Sequence, residues 1–79
     1  MDNEVMNGTV ISVVRTRGFC FIRGEDGLTR FAHVRDFVSQ AAFDLIHDGQ
    51  PVEFSPMDLN NTGEVIRGNG LRAVRVRTR

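Results

Sequence analysis

Two short segments of the chain place aromatic side chains on alternate residues. They read R-G-F-C-F-I and, after a short turn, R-F-A-H. Because side chains alternate across a β-strand, Phe19 and Phe21 share one face of the first segment. Phe31 and His33 likewise share one face of the second segment. If the intervening G-E-D-G turn joins the two segments as a hairpin, these four rings form one contiguous patch.

The aromatic patch could face either the core or the solvent. The opposite faces of the two segments carry small or aliphatic residues, which are Cys20, Ile22, Ala32 and Val34. Because such residues suit a tight interior, and a histidine is easier to accommodate in water, the outward orientation is favoured. Arg17 has the parity of the rings and would flank them. An ordinary aromatic core with one histidine at its edge is the alternative that the pattern leaves open.

An exposed aromatic patch bordered by arginine requires a function, because it lowers solubility. Stacking of unpaired bases is one such function, worth about 1–3 kcal/mol per base and tolerant of sequence. Arginine also pairs with phosphate and stacks on planar groups, which lysine does poorly. The patch therefore predicts binding of single-stranded nucleic acid.

The rings must be positioned by strands, and five segments have the β-branched or alternating patterns typical of strands. These predicted strands are residues 8–14, 18–23, 28–34, 50–57 and 71–77. In the last of them, Val74 and Val76 are expected on one face and Arg75 and Arg77 on the other. Loop signals occur at 58–63 and 67–70.

A different pattern follows the third strand. Apolar residues fall at helical spacing, and they are Val34, Phe37, Val38, Ala41 and Leu45. With Asp36 early in the segment and Gly49 as a stop signal, this spacing predicts a helix of a few turns. The whole order of elements predicts an all-β fold, a five-stranded antiparallel barrel with a short helical segment after the third strand. Closure is favoured because it removes exposed strand edges.

The composition predicts one small cytoplasmic domain over residues 1–79. Apolar residues make up 41% of the 79-residue chain, enough for a core. No apolar run approaches the ~20 residues that span a bilayer, and the amino terminus lacks the layout of a signal peptide. Ten acidic and ten basic residues give zero net charge, and every basic residue is arginine. Four of these, Arg72, Arg75, Arg77 and Arg79, crowd the last eight residues, so one face is expected to be basic.

The motifs resemble those of the cold-shock domain family. R-G-F-C-F-I is similar to the family's K-G-F-G-F-I, and R-F-A-H to its V-F-V-H. G-T-V at 8–10, D-G-Q-P-V-E-F at 48–54 and L-R-A-V-R-V at 71–76 resemble its first, fourth and closing strands. The resemblance implies a five-stranded OB-type barrel that binds single-stranded RNA and DNA on the aromatic face, often as a nucleic-acid chaperone.

The resemblance also implies roles for individual residues. The expected nucleic-acid-binding residues are Phe19, Phe21, Phe31, His33, Arg17, Phe43, Arg15, Arg72 and Arg75. Arg17 stands where the family places a lysine that contacts the nucleic-acid backbone. Phe43 matches an aromatic residue that extends the stacking surface, whereas Phe37 falls at an aliphatic position and is expected in the core.

Three rings typical of the family are absent. Ser12 and Val13 replace the first-strand W-F, and Val34 replaces an aromatic residue after the histidine. Because each ring is worth about 1–3 kcal/mol, affinity is expected to fall below that of a typical member. Arg30 occupies an inward valine position, which predicts either a side chain reaching out from the strand end or a changed hairpin register. Cys20 replaces a glycine and is expected to be a small buried hydrophobe.

Other classes of function find no support in the sequence. It has no nucleotide-binding glycine loop, and no zinc spacing links Cys20, His33 and His47. Cys20 and His33 point to opposite faces of the predicted hairpin, so they form no nucleophile–base pair. An RNA-recognition-motif fold needs two substantial helices, and only one helical segment is available. The sequence predicts no enzyme, no metal and no cofactor.

Two functions therefore remain. The first is binding of single-stranded RNA or DNA by a monomer, with low sequence preference and without a membrane or a small-molecule substrate. The second is binding of a protein partner, or self-association, through aromatic and arginine residues, which are enriched at protein interfaces. Salt distinguishes the two, because affinity for single strands falls with a log–log slope of about −0.7 per phosphate contacted.

Overall fold

The computed structural model describes residues 5–57 and 71–79 and confirms the all-β fold. Five strands close into a barrel in the order β1-β2-β3-β5-β4, consistent with the predicted OB-type barrel. The strands are β1 Met6–Val14, β2 Phe19–Gly24, β3 Thr29–His33, β4 Pro51–Met57 and β5 Arg72–Thr78. The predicted loops at 58–63 and 67–70 lie outside the described residues.

Short helices occupy the connections around β2 and β3. A 3-10 helix, Arg15–Arg17, joins β1 to β2, and a second one, Val34–Asp36, follows β3. Within the described ranges the only α-helix is α1, Gln40–Leu45. Each of these helices is a single turn or little more, so the strands alone form the framework of the barrel.

The barrel closes through a short parallel seam. Four neighbouring pairs of strands are antiparallel, as predicted, whereas β3 and β5 run parallel. This pairing places Phe31 opposite Arg72, and an isolated bridge between Phe37 and Val76 extends it. The Phe31 N–H donates to the Leu71 carbonyl at 3.0 Å. The antiparallel expectation therefore holds everywhere except at the seam.

The interior is filled by apolar side chains from every strand. They are Val10, Cys20, Ile22, Ala32, Val52, Phe54, Ala73 and Val76. Cys20, Ile22 and Ala32 are completely buried, which confirms that the small residues of β2 and β3 face inward. Because side chains alternate along a strand, the rings of these two strands lie on the outside.

The predicted short helical segment after the third strand is confirmed, but it is not one helix of a few turns through the apolar residues from Val34 to Leu45. The backbone is extended at Phe37, with φ −91° and ψ 153°, and at Ser39, with φ −159° and ψ 160°. Ser39 then starts α1, because its hydroxyl accepts the Ala42 N–H at 3.1 Å. The segment is thus two short helices separated by an extended stretch.

This break decides which apolar side chains reach the core. Phe37 and Phe43 are both buried, and their rings pack edge-to-face with centroids 5.3 Å apart. Val38 and Leu45, which helical spacing assigned to the buried face, are exposed. The core position of Phe37 is confirmed, whereas Phe43 lies in the core and not at the edge of the aromatic patch.

Arg30 points into one end of the barrel, where it is only 1% exposed. Its Nη1 and Nη2 atoms donate to the two Asp26 carboxylate oxygens at 3.1 and 2.8 Å, and its guanidinium lies 5.5 Å from the Phe54 ring centroid. Gly24 leaves the space, because a Cβ there would come within 2.8 Å of Arg30 Nη1. The hairpin register is regular, with Ile22 opposite Arg30, so the ion pair and not a register change accommodates the arginine.

A β-bulge changes the alternation of β5. Its register with β4 shifts between Glu53 and Ser55, and Arg75 adopts a left-handed conformation with φ 52°. Beyond this point Val76 is completely buried, whereas Val74 before it is half-buried. The predicted shared face of Val74 and Val76 is therefore wrong, because the extra residue reverses the alternation.

Candidate functional site

The outer surface of β2 and β3 carries what we call the aromatic face, formed by Phe19, Phe21, Phe31 and His33. Phe19 pairs with His33 across the ladder, and Phe21 pairs with Phe31. Side chains directly opposite each other on one face of a sheet are close enough to interact. None of the four is buried. The structure thus brings together the four residues that strand alternation predicted.

The three phenylalanine rings of this face form a contiguous cluster. The centroids of Phe19 and Phe31 lie 5.1 Å apart, those of Phe19 and Phe21 5.6 Å apart, and those of Phe21 and Phe31 6.1 Å apart. The tilted and edge-to-face arrangements are the favourable ones for aromatic pairs. Phe21 is 36% exposed. The rings are therefore fixed against one another and remain accessible from solvent.

The turn before β2 carries Arg17, two residues ahead of Phe19 in the sequence. The 3-10 helix Arg15–Arg17 ends at Gly18, whose φ of 73° lies in the left-handed region that favours glycine. The Gly18 carbonyl accepts the Val34 N–H at 2.8 Å, which ties this turn to the end of β3. Arg17 is exposed, and it makes no ion pair or hydrogen bond with any described side chain. Its charge is therefore available to a ligand.

One carboxylate links two residues at the margin of the aromatic face. Asp36 Oδ2 accepts the His33 backbone N–H at 3.0 Å and Arg72 Nη2 at 2.6 Å. The Arg72 guanidinium carbon lies 5.7 Å from the Phe31 ring centroid. The His33 Nδ1 accepts the Arg35 N–H at 3.1 Å, which completes a capping box on the second 3-10 helix.

Sequence reasoning did not place Asp36 in the site. The available signal was its position three residues after His33, the spacing of a capping box. The pairing with Arg72 had no such signal, because it depends on how β5 closes the barrel against β3. Asp36 is therefore a site residue that only the tertiary structure reveals.

The guanidinium of Arg15 is engaged in hydrogen bonds to backbone carbonyls. Its Nη1 donates to the Phe43 and Asp44 carbonyls at 3.2 and 3.3 Å, and its Nη2 donates to the Ile46 carbonyl at 2.7 Å. These carbonyls belong to the last turn of α1 and the residue after it, where a helix leaves acceptors unsatisfied. The geometry assigns Arg15 to the stabilisation of α1, which argues against its predicted contact with phosphate.

Two other predicted site residues lie away from the aromatic face. Phe43 is 3% exposed in the core, and its ring centroid is 5.6 Å from the Arg15 guanidinium carbon. It therefore offers no surface for stacking a base, and its predicted role at the edge of the face is wrong. Arg75 lines a separate depression together with Glu53 and Arg77, so the structure does not bring it to the rings.

On the β1 side the aromatic face ends without further rings. Ser12 pairs with Phe21, and Val14 pairs with Phe19. A larger side chain at Ser12 would stand directly beside Phe21 and would widen the surface available to a planar ligand. On the β3 side, a shallow recess borders the rings and is lined by Phe21, Thr29, Arg30, Phe31 and Leu71.

Other features of the described residues concern the Cys20 thiol, metal binding and membrane-spanning helices. Cys20 is completely buried, and this burial raises the pKa of its thiol to about 12, which keeps it protonated at neutral pH. Residues 5–57 and 71–79 contain no cluster of three or more His, Cys, Asp or Glu side chains suited to a metal ion. In the same ranges no helix is long and apolar enough to cross a membrane.

Comparison with models of known protein families finds no match, and comparison with curated proteins finds none either. The main features of the candidate site are the clustered rings, the exposed Arg17 and the pair of Asp36 with Arg72.

Proposed function

We propose that this protein binds single-stranded RNA or DNA by stacking bases on the aromatic face, as a divergent barrel of the cold-shock type. The observation that carries this proposal is the cluster of three phenylalanine rings on the outside of a barrel whose interior is filled by other residues. Rings that the core does not need suggest an apolar, planar ligand. Unpaired bases fit, since stacking is worth about 1–3 kcal/mol per base.

The charged groups define how the strand would lie. Arg17 contacts phosphates next to Phe19, while three or four successive bases stack on the rings and on His33. Such stacking discriminates little among bases, because every base has a planar face. Duplex binds poorly, since its paired bases do not offer open faces. As a chaperone, the protein would hold strands open in the cytoplasm without ATP.

The expected affinity is modest. Ser12 supplies no ring beside Phe21, and the donors of Arg15 are bound to carbonyls of α1. The positive charge of Arg72 is balanced by the carboxylate of Asp36. Because Arg15 and Arg72 already have partners in the fold, we expect a shallower dependence on salt than the number of arginines in the sequence would suggest.

Fluorescence anisotropy of a labelled eight-nucleotide oligothymidine, titrated at low and moderate salt, tests the proposal. A triple variant with Phe19→Ala, Phe21→Ala and Phe31→Ala should bind at least about a hundredfold more weakly, because each of the three lost stacks costs about 1–3 kcal/mol. Leu45→Ala is the matched control, since it removes an exposed apolar side chain from α1, outside the aromatic face. Circular dichroism of all three proteins establishes that they fold.

Failure of the wild-type protein to bind the oligothymidine at low salt would reject this function. A second candidate, binding of a protein partner or of a second copy through the same rings, would then lead. The pairing of Arg72 with Asp36 favours that candidate, because a compensated charge beside apolar rings suits a protein interface better than a polyanion. Such an interface would depend far less on salt than nucleic-acid binding does.

A further inference from the structure

We propose that Arg72 reads one base of the bound strand and selects guanine, with Asp36 as its positioning residue. This inference rests on the proposed function and deepens it by naming a base preference. It differs from the expectation that Arg72 contacts phosphate. Three properties of the Arg72 guanidinium support this inference. They are its position, the balance of its charge by Asp36, and its N–H groups that have no hydrogen-bond partner among the described residues.

The position of Arg72 is set by the seam of the barrel. Arg72 begins β5 and lies opposite Phe31 of β3, so its side chain lies beside the Phe31 ring. Its guanidinium carbon lies 5.7 Å from the Phe31 centroid, and Asp36 holds Nη2 at 2.6 Å. A base that stacks on the Phe31 ring beside this guanidinium would bring its edge within reach of the Nη groups of Arg72.

The charge of Arg72 is already balanced. Asp36 is 14% exposed and Arg72 43% exposed, so the pair is partly shielded from water. A compensated guanidinium adds little to the net attraction for a polyanion. Arg17, which is exposed and has no ion pair within the described part of the chain, is the better phosphate contact.

The remaining donors of Arg72 suit a base edge with two adjacent acceptors. Nη2 is bound to Asp36, and Nε is buried without a hydrogen-bond partner among the described residues. Nη1 makes no hydrogen bond to any described residue, so the accessible part of the side chain is its Nη end. Guanine presents O6 and N7 as neighbouring acceptors, and arginine is their commonest partner in proteins. Adenine places its N6 donor where O6 would be, so it would oppose the guanidinium.

The experiment compares labelled oligothymidines of eight nucleotides that carry one central guanine, adenine, cytosine or 7-deazaguanine. We expect guanine to raise the affinity about tenfold over oligothymidine, and 7-deazaguanine, which lacks N7, to lose most of this gain. Arg72→Lys keeps the charge and can keep the pair with Asp36, but it loses the planar fork. It should abolish the preference for guanine over adenine and cytosine at the central position, measured as the ratio of affinities for these oligonucleotides within the same variant.

Two further variants separate base reading from charge and from folding. Arg17→Gln should weaken binding to every oligonucleotide equally and reduce the salt slope, as expected of a phosphate contact. Asp36→Asn keeps an acceptor for the His33 N–H but releases the charge of Arg72. It should lower the guanine preference and steepen the salt slope, a combination that simple loss of structure would not produce.

The outcomes distinguish this inference from the proposed function. If the wild-type protein binds oligothymidine but shows no preference for guanine, the inference is overturned and the proposed function stands. A preference that survives Arg72→Lys, or that 7-deazaguanine satisfies as well as guanine, also overturns it. If no oligonucleotide binds at low salt, the proposed function fails first and takes the inference with it.

Discussion

The arginines of this protein take different roles because their partners differ. Arg30 is buried against the carboxylate of Asp26, and Arg15 donates to helix carbonyls. Arg72 is paired at the surface, whereas Arg17 is exposed and has no ion pair with a described residue. A buried cation must be paired because its desolvation is costly. The count of arginines in the sequence therefore overstates the charge that the aromatic face can offer to phosphates.

The pair of Arg30 and Asp26 makes the stability of the barrel depend on pH. Hydrogen bonding from Arg30 lowers the pKa of Asp26 below its ordinary value. The folded state favours the ionised carboxylate of Asp26. Its contribution to the free energy of unfolding is therefore fully present above the unfolded pKa of about 3.9, and it is lost as the pH falls through the lower folded pKa. We expect Asp26→Asn to reduce the free energy of unfolding at pH 7 by about 2 kcal/mol, less than for a fully buried pair.

Urea unfolding at several pH values measures this effect. The difference between wild type and Asp26→Asn should be largest at neutral pH and should shrink as the solution is acidified below about pH 4. Glu25→Gln provides the matched control, since it neutralises the adjacent exposed carboxylate. A difference that stays constant from neutral to acid pH would show that the carboxylate of Asp26 does not stabilise Arg30.

At the scale of the elements, the orientation of side chains could be predicted where inward-facing and outward-facing residues alternate along a whole strand without interruption. In β2 and β3 the inward residues alternate with the rings without interruption, so the orientation of Phe19, Phe21 and Phe31 could be predicted from the pattern. The bulge at Arg75 has no comparable signal, because neither glycine nor asparagine marks the left-handed position. One inserted residue was enough to misassign Val74.

The break in the helical segment after β3 could not be predicted, for a related reason. Its apolar residues fit helical spacing, yet the chain is extended at Phe37 and at Ser39. Phe37 and Phe43 are buried because they pack into the core formed by the strands, and a local hydrophobic periodicity does not predict such tertiary packing. The same tertiary demand removed Phe43 from the expected stacking surface.

Substitutions of Arg15 and Arg17, both in the first 3-10 helix, distinguish an effect on stability from an effect on nucleic-acid binding. Arg15→Gln should lower the free energy of unfolding by about 1–2 kcal/mol, because three carbonyls around the end of α1 lose a charged donor. Its effect on the salt slope of oligothymidine binding should be small. Arg17→Gln should do the reverse, leaving stability unchanged and reducing the slope by about 0.7.

Urea unfolding and anisotropy titrations on the same two variants check whether Arg15 affects mainly stability and Arg17 mainly the salt slope. If Arg15→Gln reduces the salt slope as much as Arg17→Gln does, Arg15 contacts phosphate and its bonds to α1 are not maintained in the complex. If Arg17→Gln lowers stability instead, Arg17 has a structural partner and the available charge at the face must be sought elsewhere.

At the scale of the whole molecule, the aromatic face lies at the weakest closure of the barrel. β2 is held on both sides by ladders that run along most of its length, to β1 and to β3. β3 meets β5 in a single ladder pair, Phe31 with Arg72, supported by the bond from Val38 N–H to the Val76 carbonyl at 3.0 Å. A ligand that covers Phe31 and Arg72 would therefore bridge the two strands of the seam.

Amide hydrogen exchange followed by NMR tests this coupling between closure and binding. Because few hydrogen bonds hold the seam, the Phe31 and Val38 amides should exchange through local opening, faster than the hydrogen-bonded amides of β2, which require global unfolding. Addition of oligothymidine in excess should slow exchange at Phe31 more than in β4, which carries no residue of the aromatic face. Equal protection at all these amides in the free protein would mean that the barrel opens as one unit. Unchanged exchange at Phe31 in the presence of bound oligothymidine would mean that the bases stack on the rings without closing the seam.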